Sequence, residues 1–157
     1  MVLERSDREE LERHVKNIHA KLVKEKSNCA ERTFLTIRSI METDIPSEAV
    51  ALLTGLGGGI GGTHSSVCGA VTGGVAALGL VYGRRNPSNE SNKEAYRTAR
   101  EFYCRFKSRF GTEVCRDLIR DLLRANKFDS EERKERCHQY TSYAIELCIE
   151  IINSQID

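Results

Sequence analysis

The sequence predicts an all-α fold: a single-domain bundle of about six or seven helices around a glycine-rich central helix. Three observations predict it. Apolar residues recur at spacings of three and four through most of the chain, and no stretch shows sustained period-two alternation. Eleven of the 12 glycines fall between Gly55 and Gly83, in a block with no charged residue from Ala49 to Gly83 apart from the titratable His64. At 157 residues, 39% of them apolar, the chain is long enough to bury one core and short for two.

The elements follow in order. Ser6 with Glu9 three positions on forms a capping-box pattern, and Leu11, Val15, Ile18 and Leu22 follow at helical spacing, predicting an amphipathic helix over about 7–25. Residues 1–26 are read as an N-terminal helix packed on the bundle. Ser27 or Asn28 can cap a second helix, with Glu31 in the box position of Asn28 and Phe34, Leu35, Ile37, Ile40 and Met41 as its apolar residues. Cys29 then lies in its first turn. Ile45-Pro46-Ser47 interrupts the pattern, and SEAVALLTGL follows as a short helix.

Gly57-Gly58-Gly59-Ile60-Gly61-Gly62 is too rich in glycine to be a stable helix, since each interior glycine costs roughly 0.5–1 kcal/mol relative to alanine. From Ser66 onward Gly69, Ala70, Gly73, Gly74 and Ala77 give the central helix a nearly smooth face that lets another backbone approach closely. After a polar break at 83–88, Asn92 or a neighbour starts a long helix to about Arg109, with Ala95, Ala99, Phe102, Phe106 and Phe110 inside and Gly111 ending it. Thr112 is placed to cap TEVCRDLIRDLLRAN, in which Cys115, Leu118, Ile119 and Leu122 share a face. The last helix runs from about Ser130 to Asn153.

A formal net charge of +1 gives no global field to attract nucleic acid or an anionic membrane surface, so nucleic acid is not an expected partner. The opening MVLERSDREELERHVKNIHAKLVKEK is charged throughout, which argues against a signal peptide and for a cytoplasmic protein. The uncharged run from Val67 to Tyr82 is 16 residues, short of the about 20 that cross a bilayer, and predicts a buried helix and not a membrane-embedded one.

Six cysteines, at 29, 68, 104, 115, 137 and 148, show no CxxC pair and no zinc-finger spacing. In a reducing cytoplasm such a set suggests reversible redox chemistry, a metal site assembled from separate helices, or burial. Cys68 has the strongest local case. A helix beginning near Ser66 puts its thiol in the first turn, where unpaired N–H groups and the helix dipole favour the thiolate. His64, four residues earlier, can add positive charge or act as base; the competing reading of Cys68 is packing among small residues.

The loop also carries Gly57-x-Gly59-x-x-Gly62, the spacing of a dinucleotide fingerprint, but a helical segment precedes it where that fingerprint needs a strand. Backbone amides at Gly58, Gly59, Gly61 and Gly62 are the candidates for holding an anion or cofactor edge. His14, His19 and His138 are read as surface or interhelical residues. Cys137 and Cys148 share a helical face but lie ~16 Å apart along the axis. Cys104 falls on the flank of its helix.

The ordered set of features resembles a family of small bacterial and archaeal redox-active proteins, the C_GCAxxG_C_C proteins. The residues that carry it are Asn28-Cys29-Ala30-Glu31, the block GLGGGIGG, Cys68-Gly69-Ala70-Val71-Thr72-Gly73-Gly74, Leu78-Gly79-Leu80 with Tyr82-Gly83-Arg84, Phe106 and Phe110-Gly111, Cys115-Arg116-Asp117-Leu118, and Arg136-Cys137. The resemblance covers about residues 27–153 and makes 27–157 the family-like helical domain.

It implies a set of four cysteines, Cys29, Cys68, Cys115 and Cys137, with Cys104 and Cys148 as packing or accessory thiols. On this reading Cys68, as thiolate, attacks a disulfide or other oxidised acceptor and a second cysteine resolves the mixed disulfide. Cys29 is the preferred partner because it too starts a helix. The redox partner is a protein or small thiol of unknown identity, and no cofactor is required. Two alternatives stand beside it: a zinc or iron–sulfur site held by Cys29, Cys68, Cys115 and Cys137, and a non-catalytic interaction module whose smooth helix packs on a partner or forms a homodimer.

Overall fold

The computed structural model describes residues 5–154. Among them are seven α-helices and one 3-10 helix, and no strand beyond an isolated antiparallel bridge between Val67 and Val114. The all-α expectation holds. The helices are α1 (Arg5–Lys24), α2 (Cys29–Ile40), α3 (Gly69–Tyr82), α4 (Lys93–Phe110), α5 (Cys115–Leu118), α6 (Arg120–Arg124) and α7 (Glu131–Ser154), with the 3-10 helix Ser47–Leu56 between α2 and α3. No helix among the described residues is long and apolar enough to cross a membrane.

Helix α3 sits at the centre, packed against α2, α4 and α7, and α1 lies on α2. The smooth face predicted for α3 is used inside the fold. A β-carbon on Gly73 would fall 2.5 Å from the Ala30 carbonyl oxygen, and one on Gly74 would collide with the Phe102 ring. Small residues therefore set the α2–α3 and α3–α4 separations. Ile37, Leu78, Phe102, Phe106, Ile145, Leu147 and Ile151 are fully buried around this crossing. The stripe of α4 is narrower than its sequence suggests, with Thr98 buried between the half-buried Ala95 and Ala99; its hydroxyl is satisfied by the Glu94 carbonyl at 2.9 Å.

Several boundaries differ from expectation. The first helix already includes Ser6, whose side chain lies outside the described residues, so the Ser6–Glu9 cap has no structural counterpart to report. SEAVALLTGL is a 3-10 helix with only Leu53 buried, so little packing holds it to α geometry. Helix α3 begins at Gly69 with Cys68 as its N-cap, not near Ser66. The predicted single helix after Thr112 is two short ones broken at Ile119, whose φ is −120°. Thr112 caps a turn, accepting from the Val114 N–H at 3.1 Å. Both late starts have one cause. Residues 64–68 and 113–116 hydrogen-bond to each other, and their backbone groups are unavailable to a helix until that pairing ends. Asn92 precedes α4 and Gly111, at φ +79°, closes it as a left-handed cap.

Candidate functional site

The site is built on the N-terminus of α2. The Asn28 side chain accepts from the Glu31 N–H at 3.0 Å while a Glu31 carboxylate oxygen accepts from the Asn28 N–H at 2.9 Å, closing the capping box expected from sequence. The box is also a clamp. Asn28 Nδ2 donates to the Thr54 carbonyl at 2.9 Å, and the Thr54 hydroxyl donates to the second Glu31 oxygen at 2.8 Å. A β-carbon on Gly57 would sit 2.5 Å from Asn28 Cγ, so the end of the 3-10 helix lies directly on the helix start.

From there the chain turns through five consecutive residues of positive φ: Gly58 at 59°, Gly59 at 68°, Ile60 at 63°, Gly61 at 60° and Gly62 at 71°. This is a left-handed turn, a conformation in which each L-residue with a side chain pays roughly 1–2 kcal/mol. The positive φ values account for the glycine run on backbone grounds. The turn delivers the Gly58 N–H to the Cys29 sulfur. A β-carbon on Gly59 would fall 2.8 Å from Cys115 Cβ, whereas Gly61 and Gly62 face open space.

The opposite wall comes from the paired segments. The Cys68 N–H donates to the Glu113 carbonyl at 2.7 Å and the Cys115 N–H to the Ser66 carbonyl at 2.9 Å, while Arg116 N–H donates to the His64 carbonyl at 2.8 Å. Cys68 is thereby set at the cap of α3 and Cys115 at the first residue of α5. His64, at φ +58°, turns towards Cys115 and not Cys68: its Nδ1 is 3.4 Å from the Cys115 sulfur, and its ring meets Phe128 edge-on at 5.0 Å.

Cys29 and Cys68 meet across the α2–α3 crossing. The Cys68 thiol hydrogen-bonds the Cys29 sulfur, and this contact more than anything else lowers Cys29 below the ordinary thiol range; the Gly58 N–H and the Arg32 charge add to it against the opposing effect of burial. The same contact, followed by burial and the charge of Cys29, pushes Cys68 well up. The sequence expectation placed the thiolate on Cys68. At the N-cap of α3 the Ala70 N–H does favour a Cys68 thiolate, but the contact with Cys29 and burial to 6% exposure outweigh it.

Arg32 was not singled out in the sequence. Three residues after Cys29 and 7% exposed, it folds back along α2, donating from Nε to the Ser27 hydroxyl at 3.3 Å and from Nη2 to the Ser27 carbonyl at 2.5 Å. No carboxylate lies within ion-pair distance of it among the described residues. Cys29 and Cys137 are the groups whose negative charge favours the guanidinium most. With no carboxylate in ion-pair contact, this buried cation rests on its Ser27 hydrogen bonds, and a Cys29 thiolate one helical turn away favours its charge.

A family model described as "Putative redox-active protein (C_GCAxxG_C_C)" matches residues 27–151. The chain belongs to this family. Comparisons with curated proteins and with solved structures find no match. The C_GCAxxG_C_C match begins just after α1, so α1 with His19 is outside it.

The remaining cysteines of this C_GCAxxG_C_C chain differ in kind. Burial, then the charges of Cys29 and Cys137, pushes Cys115 up to about 12, and burial raises Cys137, which Arg133 partly offsets. Cys148 is fully buried, its thiol donating to the Gly74 carbonyl at 3.5 Å, and Cys104 is exposed on α4. All six are free thiols. Among the described residues no three His, Cys, Asp or Glu side chains are gathered closely enough to hold a metal ion. The one available signal for Arg32 was its spacing, since residues three apart share a helix face.

Proposed function

We propose that the protein is a thiol-based redox protein whose working pair is Cys29 and Cys68, with Cys29 as the reactive thiolate and Cys68 as the resolving thiol. One observation carries this reading: the Cys29 sulfur lies against residue 69, where a β-carbon would collide with it, which brings it to Cys68 at the start of α3, and each of the two thiols is the largest influence on the other's titration. The sulfur that is lowered is also the more exposed of the two, and reactivity at neutral pH requires both properties.

Oxidation of the pair removes two protons and two electrons and forms one S–S bond. Cys29 reacts first with the oxidised acceptor. Once its negative charge is spent, the hydrogen bond and the charge that hold Cys68 protonated are gone, and Cys68 loses its proton as it attacks the Cys29 sulfur. Cys115 and Cys137 flank the pair and interact with it electrostatically. The family's description as redox-active agrees with this chemistry.

The test is a disulfide map by mass spectrometry after equilibration in a glutathione redox buffer. A Cys29–Cys68 bond that forms and is reversed by reductant is the expected result. Pairing of Cys68 with no other cysteine, together with a Cys29 that titrates near the ordinary thiol value of about 8.5, overturns the reading.

A further inference from the structure

We propose that the oxidant taken by this site is a small hydroperoxide, attacked by the Cys29 sulfur between the buried Arg32 guanidinium and the Gly58 backbone N–H. The inference rests on the Cys29–Cys68 pairing above and adds the substrate class.

The first argument is space. The Cys29 sulfur lies against the α-carbon of Gly69, which has no room for a methyl group, and is bounded elsewhere by the Gly58 N–H and by Cys68. Cys68 itself is 6% exposed. Attack on a disulfide requires the incoming S–S axis to line up with the attacking sulfur, with the bulk of the substrate on both sides of that axis. A disulfide held in a folded protein fits that approach less readily at the half-buried Cys29. A peroxide presents two oxygens and little else.

The second argument is charge. Breaking an O–O bond places negative charge on the departing oxygen, so a site for it needs donors that are not already committed. Arg32 uses Nε and Nη2 on Ser27, while Nη1 has no protein partner among the described residues. No buried side-chain nitrogen or oxygen there lacks a partner, so Nη1 faces accessible space. Ser27, two residues before Cys29, fixes the guanidinium at the start of α2, and the guanidinium charge favours the Cys29 thiolate. Disulfide exchange, in which charge stays on sulfur, makes no use of such a donor.

The step balances. The Cys29 thiolate attacks one peroxide oxygen; an S–O bond forms, the O–O bond breaks, and the departing hydroxide takes a proton to leave as water. Sulfur is oxidised by two electrons and the peroxide reduced by two. Cys68 then attacks the Cys29 sulfenic acid; the S–S bond forms, the S–O bond breaks, and the Cys68 proton leaves with the hydroxide as a second water. Two equivalents of a small thiol return the pair to the reduced state and leave as their own disulfide.

The experiment adds hydrogen peroxide to the fully reduced protein at pH 7, follows the reaction by intact mass, and maps the products. The expected product is the Cys29–Cys68 disulfide, formed roughly 10-fold or more faster than peroxide oxidises free cysteine. In Cys68→Ser, Cys29 gains one oxygen and is captured by dimedone. In Arg32→Lys, which keeps the charge but not the forked donor, the peroxide rate falls about 10-fold while alkylation of Cys29 by iodoacetamide changes little. Helix content by circular dichroism shows that each variant folds. A peroxide rate no higher than that of free cysteine, with the same pair readily oxidised by glutathione disulfide, overturns the hydroperoxide assignment and leaves the Cys29–Cys68 reading standing. If neither oxidant joins the pair, both fall. Equal loss of peroxide and iodoacetamide rates in Arg32→Lys also overturns the assignment, because Arg32 then acts on the thiolate alone.

Discussion

The sulfur of Cys29 rests directly on the α-carbon of Gly69, at the point where α2 crosses the start of α3. A single methyl group at residue 69 has to displace the sulfur or part the helices. Gly69→Ala is expected to destabilise the protein by about 1–3 kcal/mol in urea denaturation, the usual cost of overfilling a packed contact. It is also expected to change the rate at which Cys29 is alkylated, since the sulfur is the atom that must move. Unchanged stability with unchanged alkylation would show that the contact is looser than described.

The Cys29 thiolate is held low chiefly by the Cys68 thiol. An acid with a depressed pKa keeps its charge, and its reactivity, above that pKa and loses both as pH falls through it. The rate of iodoacetamide addition at Cys29 should therefore inflect below the ordinary thiol value of about 8.5. In Cys68→Ala the inflection moves up, because the largest stabilising contact of the charged form is gone. Rate–pH profiles of the two proteins, read at Cys29 by peptide mapping, check this.

Asn28 joins the helix start to the 3-10 helix and to the turn behind it. Asn28→Ala removes the cap and the bond to Thr54 together, and a loss of about 1–2 kcal/mol is expected. A loss confined to stability would mean that the cap merely starts a helix. A parallel drop in Cys29 reactivity is expected here, because the Gly58 N–H is positioned through the same contacts.

Ile60 is a β-branched residue at φ +63° and 39% exposed. Its backbone conformation is strained and its side chain gains little burial in return. Ile60→Gly is expected to raise the urea midpoint, by about 1 kcal/mol of stability. A decrease would show that the isoleucine side chain holds the turn in place.

His19 on α1 bonds the Thr141 hydroxyl at 2.8 Å, meets the ring of His138 edge-on at 6.0 Å, and lines a groove with Lys24 and Glu135. Burial first, then the charges of Arg32 and His138, lowers its pKa to about 4. The unfolded chain takes up this proton near pH 6.5 and the folded chain resists it, so the contribution is fully present above about pH 6.5 and is lost as pH falls towards about 4. Urea midpoints measured across that range should decline with falling pH, and His19→Gln, which keeps a hydrogen-bonding side chain without the charge, should flatten the decline.

The helices were legible wherever an apolar stripe or a cap announced them, as with Asn28–Glu31 or the Phe102–Phe106–Phe110 face. What periodicity could not reveal was the pairing of residues 64–68 with 113–116. A few backbone hydrogen bonds between segments almost fifty residues apart leave no repeat in either one, yet they delay two helices and turn His64 towards Cys115. The glycine run announced itself as non-helical, but its left-handed course depends on tertiary clamping by Asn28 and Cys115. Cys29 and Cys68 were both visible as candidates. Which of them carries the charge depends on their mutual contact and on burial, which spacing alone does not supply.

Cys29 and Cys68 bracket the 3-10 helix and the whole glycine turn, so a bond between them closes a ring of 40 residues (68 − 29 + 1). Such a ring removes chain entropy from the unfolded state worth about 4 kcal/mol on the loop-closure model. For a domain of this size that amounts to a rise in melting temperature on the order of 10 °C. Oxidation would thus be recorded in the thermal endurance of the fold as well as in its sulfur chemistry, making the protein harder to unfold and degrade in its oxidised form than in its reduced one.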